Sequence, residues 1–318
     1  MDNLNRLIEL HRNSYLDLLP KSQIEQQQLF FQNKLEALLD KAQVKEIYKD
    51  RVNGKTLGYG LISSYFHPYY QETVDQLHFD CDITDSEAQE WMLRWIHTVC
   101  ANKTVITEIR PSYFPLYQRM YPKLALENVV FAGNVSDSLE AWDELYSDKL
   151  SRISDSEYSV KRVRSSDLEQ IFELKQSIFS KQSEFNPYFQ NKAFREEAKK
   201  RYLYYLDHSL LYKVVKKGII YGFFGAFIDS DHPLWGTSAG LEFAFDTDLQ
   251  GKYFGVSAYG KLLTELSEKN VRFIRGGTSN PAVIHISQKI GRPIFYLTCS
   301  NRDIGIDSSS FSRLSLPK

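Results

Sequence analysis

The stretch DTDLQGKYFGVSAYGKLL, residues 246–263, joins a strand-like run, GLEFAFD (240–246), to a helical run over 254–269. Backbone N–H groups converge at such a strand-to-helix turn, and small residues there let a phosphate approach the main chain. Gln250, Gly251, Lys252, Tyr253, Phe254, Gly255, Val256 and Ser257 are the residues so placed, and Lys252 can add a direct charge. Tyr253 stands where another glycine would be expected. It is tolerable if its φ stays negative, because the donated group is the backbone N–H and the ring can turn away. Glycines also serve ordinary tight turns, so the stretch alone does not separate a ligand loop from a plain connection.

The surrounding elements predict an α/β domain around a mixed sheet. YSVKRVR (158–164) alternates as a strand, SSDLEQIFELKQSIF opens with Ser and Asp as a helix start should, and NKAFREEAKKRYLYYLDH follows as a second helix. Strand-like runs occupy 210–217, 219–229 and 240–246; then come the helix over 254–269, strand VRFIRGG (271–277), a helix over 281–290 and strand IFYLTCS (294–300). The first half follows the same plan: two helical segments, VKEIYKD (44–50), TLGYGLISSYF (56–66), QLHFDCDIT (76–84), a helix at EAQEWMLRWIHTVC, TVITEIR (104–110), and a final helix and strand. GKTLGYGLISSYF echoes KGIIYGFFGAFID, and QLHFDCDITDSEA echoes GLEFAFDTDLQGK, which supports an internal repeat. The polar run SDKLSRISDSEYS (147–159) reads as a linker and puts the domains at 1–152 and 153–318. After its third long strand the first half reads DITDSEAQEW, with no glycine, so only the second half carries a candidate phosphate loop.

Composition narrows the function classes. Lys and Arg number 39 against 40 Asp and Glu, a net charge of -1, so no overall pull toward nucleic acid or an acidic membrane is expected. No segment approaches the ~18 uncharged apolar residues of a membrane span, and the N-terminal run lacks an apolar h-region; the protein reads as cytoplasmic. Cys81, Cys100 and Cys299 form no CxxC and have no His at ligand spacing, which argues against a disulfide framework and against a metal site. Aromatic residues make up 14% of the chain, a density that fills cores and also suits flat ligands such as sugars or bases.

Asn280-Pro281-Ala282-Val283, followed by Lys289-Ile290-Gly291, supplies a second motif, although any helix can begin with Asn and Pro. With Gln250-Gly251-Lys252-Tyr253-Phe254-Gly255 in the right order before it, the sequence resembles the GNAT superfamily of acyl-coenzyme A N-acyltransferases. That family's glycine-rich pattern runs Gln/Arg-x-x-Gly-x-Gly/Ala, and its later helix carries Asn-Pro-x-Ala and Tyr-x-Lys-x-Gly-Phe. The resemblance implies two tandem GNAT-like α+β domains, each a mixed, mostly antiparallel sheet flanked by helices. It implies that the second binds acyl-coenzyme A, while the first is a degenerate copy that forms a wall of the acceptor site, with Trp91, Trp95 and Tyr117 in its own core. Two positions depart from the family: Ser287 replaces the tyrosine that often protonates the departing thiolate, and Arg292 stands where an aromatic is usual. A serine hydroxyl is a poorer proton donor than a phenol.

The resemblance places the pantetheine arm against the third long strand, where a bulge is expected to expose backbone groups of Phe243, Ala244 and Phe245, and it leaves the sulfur beside Asn280 and Ser287. Strand alternation puts Glu242, Ala244 and Asp246 on one face and Phe243 and Phe245 on the other. Glu242 is the candidate general base, gaining basicity from aromatic neighbours; the alternatives are that it orients the acceptor's ammonium or faces solvent. Ser287 is the candidate hydrogen bonder to the sulfur or oxyanion. His285 reads as a packing or surface residue, and His67 and His78 similarly, though either could line a cleft. The implied acceptor is a small amine, best matched to a dTDP-linked 3-amino-3,6-dideoxyhexose for surface polysaccharide synthesis, with acetyl or a short hydroxyacyl such as 3-hydroxybutanoyl as donor group. A protein or peptide amine, or coenzyme A binding without catalysis, are the other readings.

Overall fold

The computed structural model describes residues 2–16, 24–25, 27–67, 72–120, 123–147, 157–181, 192–232, 234–251 and 253–301. The chain divides into two units: Met1–Val130 with Thr278–Ile284 and Ile294–Lys318, and Phe131–Gly277 with His285–Pro293.

In the first unit α1 (Asp2–Asn13) and α2 (Gln28–Lys41) precede β1 (Val44–Lys49), β2 (Thr56–His67) and β3 (Glu72–Cys81). Then come α3 (Ser86–Asn102), β4 (Val105–Ile109), α4 (Phe114–Met120) and β5 (Ala125–Asn134), whose last residues belong to the second unit. β1, β2 and β3 are antiparallel neighbours, and β4 joins β3 in parallel because the α3 crossover returns the chain to the same end of the sheet. β11 (Ile294–Ser300) completes this sheet by pairing antiparallel with β4, Leu297 opposite Ile109. Leu7, Leu10, Leu35, Tyr59 and Leu61 fill the core beneath α1 and α2. Trp95 lies flat over Gly60, where any Cβ would fall 2.6 Å from the indole, and Trp91 stacks on both Trp95 and Tyr48.

The second unit repeats the plan with α5 (Val135–Tyr146), β6 (Ser159–Arg162), α6 (Leu168–Lys181), α7 (Lys192–Tyr205), β7 (Leu210–Lys216), β8 (Ile219–His232), β9 (Gly236–Phe245), α8 (Phe254–Glu268) and β10 (Phe273–Thr278). α9 (Pro281–Lys289) leads on to β11. The strands run in the order β6-β7-β8-β9-β10, antiparallel up to β9 and parallel between β9 and β10. This is the order of strand, two helices, three antiparallel strands, helix and strand expected from the sequence. Period-two alternation sorts the core: Phe223 packs with Phe172 of α6 and Tyr202 of α7, whereas its neighbour Phe224 packs with Leu262 of α8.

The division of the chain does not coincide with the sequence halves. Residues 131–146, expected to close the first half, belong to the second unit, and β11, expected to close the second, pairs into the first. The cause in α5 is Trp142, 1% exposed, whose ring lies on Gly260 of α8 and whose Nε1 donates to the Val256 carbonyl at 3.0 Å. Most of the expected linker lies outside the described residues.

A Cβ on Gly260 would sit 2.4 Å from Trp142 Cζ2. Gly260→Ala is therefore expected to lower stability by about 1–3 kcal/mol in chemical denaturation, and Trp142→Phe in the same chain to recover part of the loss.

Candidate functional site

β9 and β10 pair through only three registers, Phe273↔Ser238, Ile274↔Ala239 and Arg275↔Gly240. From Leu241 to Phe245, β9 continues in register with β8 on its other side, from Ala226↔Leu241 to Gly222↔Phe245. The expected bulge at Phe243–Phe245 is therefore absent, since the irregularity in this hairpin lies at Asp229/His232. What opens the edge is the splay between β9 and β10. The Asp246 N–H donates to the Tyr221 carbonyl at 2.9 Å, and this fixes the alternation. Main-chain groups of Ala244 and Glu242 face β8, and those of Phe243 and Phe245 face away from it. Of the three backbone positions expected to meet a ligand, Ala244 is thus turned into the ladder.

Beyond Phe245 the Asp246 carboxylate accepts the Asp248 N–H at 3.1 Å and caps a short 3-10 turn, Thr247–Leu249. Gln250 Nε2 donates to the Phe245 carbonyl at 3.4 Å. Gly251, at φ 72°, and Tyr253, at φ 63°, are both left-handed. Tyr253 does not keep the negative φ expected of it. A left-handed residue with a Cβ costs about 1–2 kcal/mol, so the surrounding turn imposes this conformation. Lys252, between them, lies outside the described residues.

α8 begins at Phe254 with Tyr253 as N-cap, and Tyr253 offers no side-chain acceptor to the first turn. The amides of Phe254, Gly255 and Val256 have no acceptor within the helix. Gly255 is exposed, and a Cβ on it would meet only Phe245 Cε2, at an ordinary 3.7 Å, so packing does not require glycine there. Phe254 and Ser257 are buried, at 4% and 0% exposed, and anchor the helix start.

Glu242 projects to the α6–α7 side, opposite Phe243, as the alternation predicts. Its neighbours include the aromatic Tyr202, as expected, together with a buried cation. One carboxylate oxygen is ion-paired with Lys175 of α6, and the other accepts from the Tyr202 hydroxyl at 2.6 Å. Lys175 is 2% exposed; burial lowers its pKa, against the opposing pull of the Glu242 carboxylate. An incoming amine would have to compete with these two partners. The signal missed was Lys175 itself, which continues the buried stripe Leu168, Ile171, Phe172 at helical spacing, a cation on an apolar face.

The remaining candidates fall on α9 or elsewhere. Asn280 Oδ1 accepts the Ala282 N–H at 2.9 Å, a capping role. Asn280 belongs to the first unit and Ser287 to the second. Ser287 is 3% exposed, and its carbonyl accepts the Arg292 N–H at 3.0 Å. His285 is exposed, His67 is buried, and His78 Nε2 lies 3.2 Å from Ser63 Oγ. Two buried polar residues of the second unit, Tyr259 and Arg292, had no role assigned from the sequence.

The first unit shows the same frame filled by its own side chains. β3 and β4 pair in parallel only from Asp75↔Val105 to Leu77↔Thr107. In the echoed sequence Asp80 occupies the place of Ala244. Fully buried, it accepts from Arg110 at 2.6 Å, from His11 Nδ1 at 2.9 Å, and from the Tyr59 and Tyr113 hydroxyls. Burial pushes the Asp80 carboxyl up, but Arg110 and the hydrogen bonds from His11 and Tyr59 hold it below the usual range. At the following helix start the Asp85 carboxylate takes the Ala88 N–H at 2.9 Å, with Glu87 in the first turn. Carboxylates therefore stand where a phosphate would have to approach.

Among the described residues no helix is long and apolar enough to cross a membrane, and no cluster of His, Cys, Asp or Glu could hold a metal. No protein-family model matches the chain, and no curated protein does. Among solved structures it is similar to a GCN5-related N-acetyltransferase from Sphaerobacter thermophilus, with a TM-score of 0.48 and 13% identity over 85% of each chain. It is also similar to a GNAT-family acetyltransferase from Colwellia psychrerythraea, with a TM-score of 0.48 and 9% identity over 84% of this chain and 94% of that one. A tandem GNAT protein from the clavulanic acid biosynthesis pathway gives a TM-score of 0.43 and 11% identity over 83% and 84%.

Glu242→Gln would leave the buried Lys175 without its counter-charge, and is expected to cost about 3 kcal/mol in chemical denaturation. Burial, outweighing the Asp80 carboxylate, lowers the His11 pKa from 6.5 to about 4; burial, followed by Arg110, does the same to His78. The unfolded chain takes up these protons below pH 6.5 while the folded chain resists to about pH 4, so stability falls as pH drops through that window. His78→Gln should flatten part of that slope in denaturation curves measured across it.

Proposed function

We propose that the second unit is an acyl-coenzyme A N-acyltransferase domain. The observation that carries this reading is the union, within one unit, of an open β9 edge and an uncapped α8 start, joined by a short turn. Free amides at Phe254, Gly255 and Val256 suit a diphosphate, and Gly255 leaves room for it without serving the packing. The outward main-chain groups of Phe243 and Phe245 suit the amide-bearing arm of coenzyme A, which would lie as an added strand partner along β9.

Amide formation joins the acceptor nitrogen to the acyl carbon and breaks the carbon–sulfur bond, and the departing thiolate takes a proton. The outward amides polarise the thioester carbonyl. Glu242, held by Lys175 and Tyr202, draws the acceptor's ammonium toward β9 and takes its surplus proton through water. For the acceptor we propose a small amine, with a dTDP-linked 3-amino-3,6-dideoxyhexose as the leading substrate and an acetyl or short hydroxyacyl group as cargo. The tandem layout and the aromatic-rich composition support that choice, and a cytoplasmic location follows from it. The competing reading is a coenzyme A binding protein without catalysis, favoured by the buried Ser287 in place of a phenol. Thiol release with any amine excludes it.

Calorimetric titration with coenzyme A tests the first claim, and heat of binding is expected. Gly255→Val should weaken binding about tenfold, ~1.4 kcal/mol, with the melting temperature unchanged. Absence of binding to the wild-type chain would overturn the reading. An acceptor screen with dTDP-linked amino sugars and free amino sugars, followed by thiol detection, then tests the substrate.

A further inference from the structure

We infer that Arg292 and Tyr259 together receive the sulfur of coenzyme A as it departs as a thiolate, Arg292 holding the charge and Tyr259 giving up a proton. The inference rests on the acyl-coenzyme A reading above.

Arg292 is a buried cation without an anion. It is 6% exposed, its Nη2 donates to the Phe131 carbonyl at 3.0 Å, and its guanidinium lies 5.8 Å from the Phe131 ring centroid. Its Nε has no hydrogen-bond partner, and no carboxylate forms an ion pair with it among the described residues. Buried charges are ordinarily paired, so this arrangement is complete only when negative charge arrives. Tyr259, on α8, is likewise 6% exposed; its hydroxyl neighbours the Arg292 guanidinium and has no acceptor for its own proton. Burial raises its phenol pKa, against the charge and hydrogen bond of the neighbouring Arg292 guanidinium.

The pair sits at the closed end of the splay. The Tyr259 ring stacks on Phe243 with centroids 5.9 Å apart. A Cβ on Gly276 would lie 3.5 Å from the Leu241 carbonyl oxygen and 3.8 Å from Arg292 Nη2, and one on Gly133 would lie 3.7 Å from Arg292 Cγ. Gly276 therefore lies against the guanidinium and Gly133 against the stem of the same side chain. An arm that starts at the first turn of α8 and follows the outward groups of Phe245 and Phe243 travels ~13 Å before the β9–β10 ladder closes it off near Leu241. Its far end, the sulfur, arrives at Arg292 and Tyr259. Ser287 has no phenol to offer, and these two residues supply what it lacks.

In the step, the acceptor nitrogen bonds to the acyl carbon and the carbon–sulfur pair stays with sulfur. The Tyr259 Oη proton passes to sulfur, and the tyrosinate takes a proton from the new ammonium through water. Arg292 remains protonated throughout.

Ultraviolet thiolate absorbance of bound coenzyme A, corrected with the desulfo-coenzyme A complex, reads the thiol pKa directly and needs no acceptor. In the wild-type complex it should fall about one pH unit or more below that of free coenzyme A. Arg292→Gln should abolish the shift, Arg292→Lys should keep part of it, and Tyr259→Phe should reduce it. Tyr259→Phe removes a hydroxyl that donates to no acceptor and keeps the ring stacked on Phe243, so it should melt close to wild type and decides the matter if Arg292→Gln fails to fold. A bound thiol that titrates like the free one, or a shift that survives Tyr259→Phe undiminished, overturns the inference while the acyl-coenzyme A reading stands. Failure of the wild-type chain to bind coenzyme A overturns both.

Discussion

The early end of the β9–β10 ladder at Gly240 and Arg275 is the constraint on which the candidate site depends. Two parallel strands that stayed paired would consume the main-chain groups of Phe243 and Phe245 and leave no edge for a ligand. Because they part, β9 beyond Gly240 is paired by β8 alone, and its other edge, half-buried, keeps hydrogen-bonding capacity beyond the Gln250 side chain's bond to the Phe245 carbonyl. Unsatisfied main-chain groups of this kind are costly, and native chains retain them where something binds. The left-handed Tyr253 belongs to the same economy of strain: the turn that frees the α8 start is also the turn that forces a bulky residue into an unfavourable conformation.

The first unit shows the same frame with side chains across its gap. Its β3–β4 ladder also stops after three registers, yet Asp80, Arg110, His11, Tyr59 and Tyr113 answer one another's hydrogen bonds across the gap. Ala244 in place of Asp80 removes the centre of that network from the second unit. One duplicated layout thus has a self-satisfied form and an open form, and the difference is concentrated in a few side chains and in the helix cap that follows.

Much of this was legible in the residues. The alternation in GLEFAFD assigned Glu242 and Phe243 to opposite faces, and the hydrophobic runs placed most strands of the second unit to within a few residues, because burial on one face leaves a period that local sequence records. The splay, where the sequence predicts a bulge, is not written in local residues, since strand separation depends on which neighbour is absent. The positive φ of Tyr253 is likewise hidden, because φ at a non-glycine residue is set by the turn around it. Lys175 and Tyr202 escaped notice beside Glu242 because they arrive from 67 and 40 positions away, and Tyr259 and Arg292 gain meaning only from the partners they lack.

The exchange of segments between the units has a bearing on how the chain is made. The Asn301 side chain donates to the Cys100 carbonyl 201 positions upstream, and β11 completes the sheet beside β4. The first unit to leave the ribosome must therefore wait, with the β4 edge unmatched, until the whole second unit has been translated. Until then the β4 edge is an open template for intermolecular pairing.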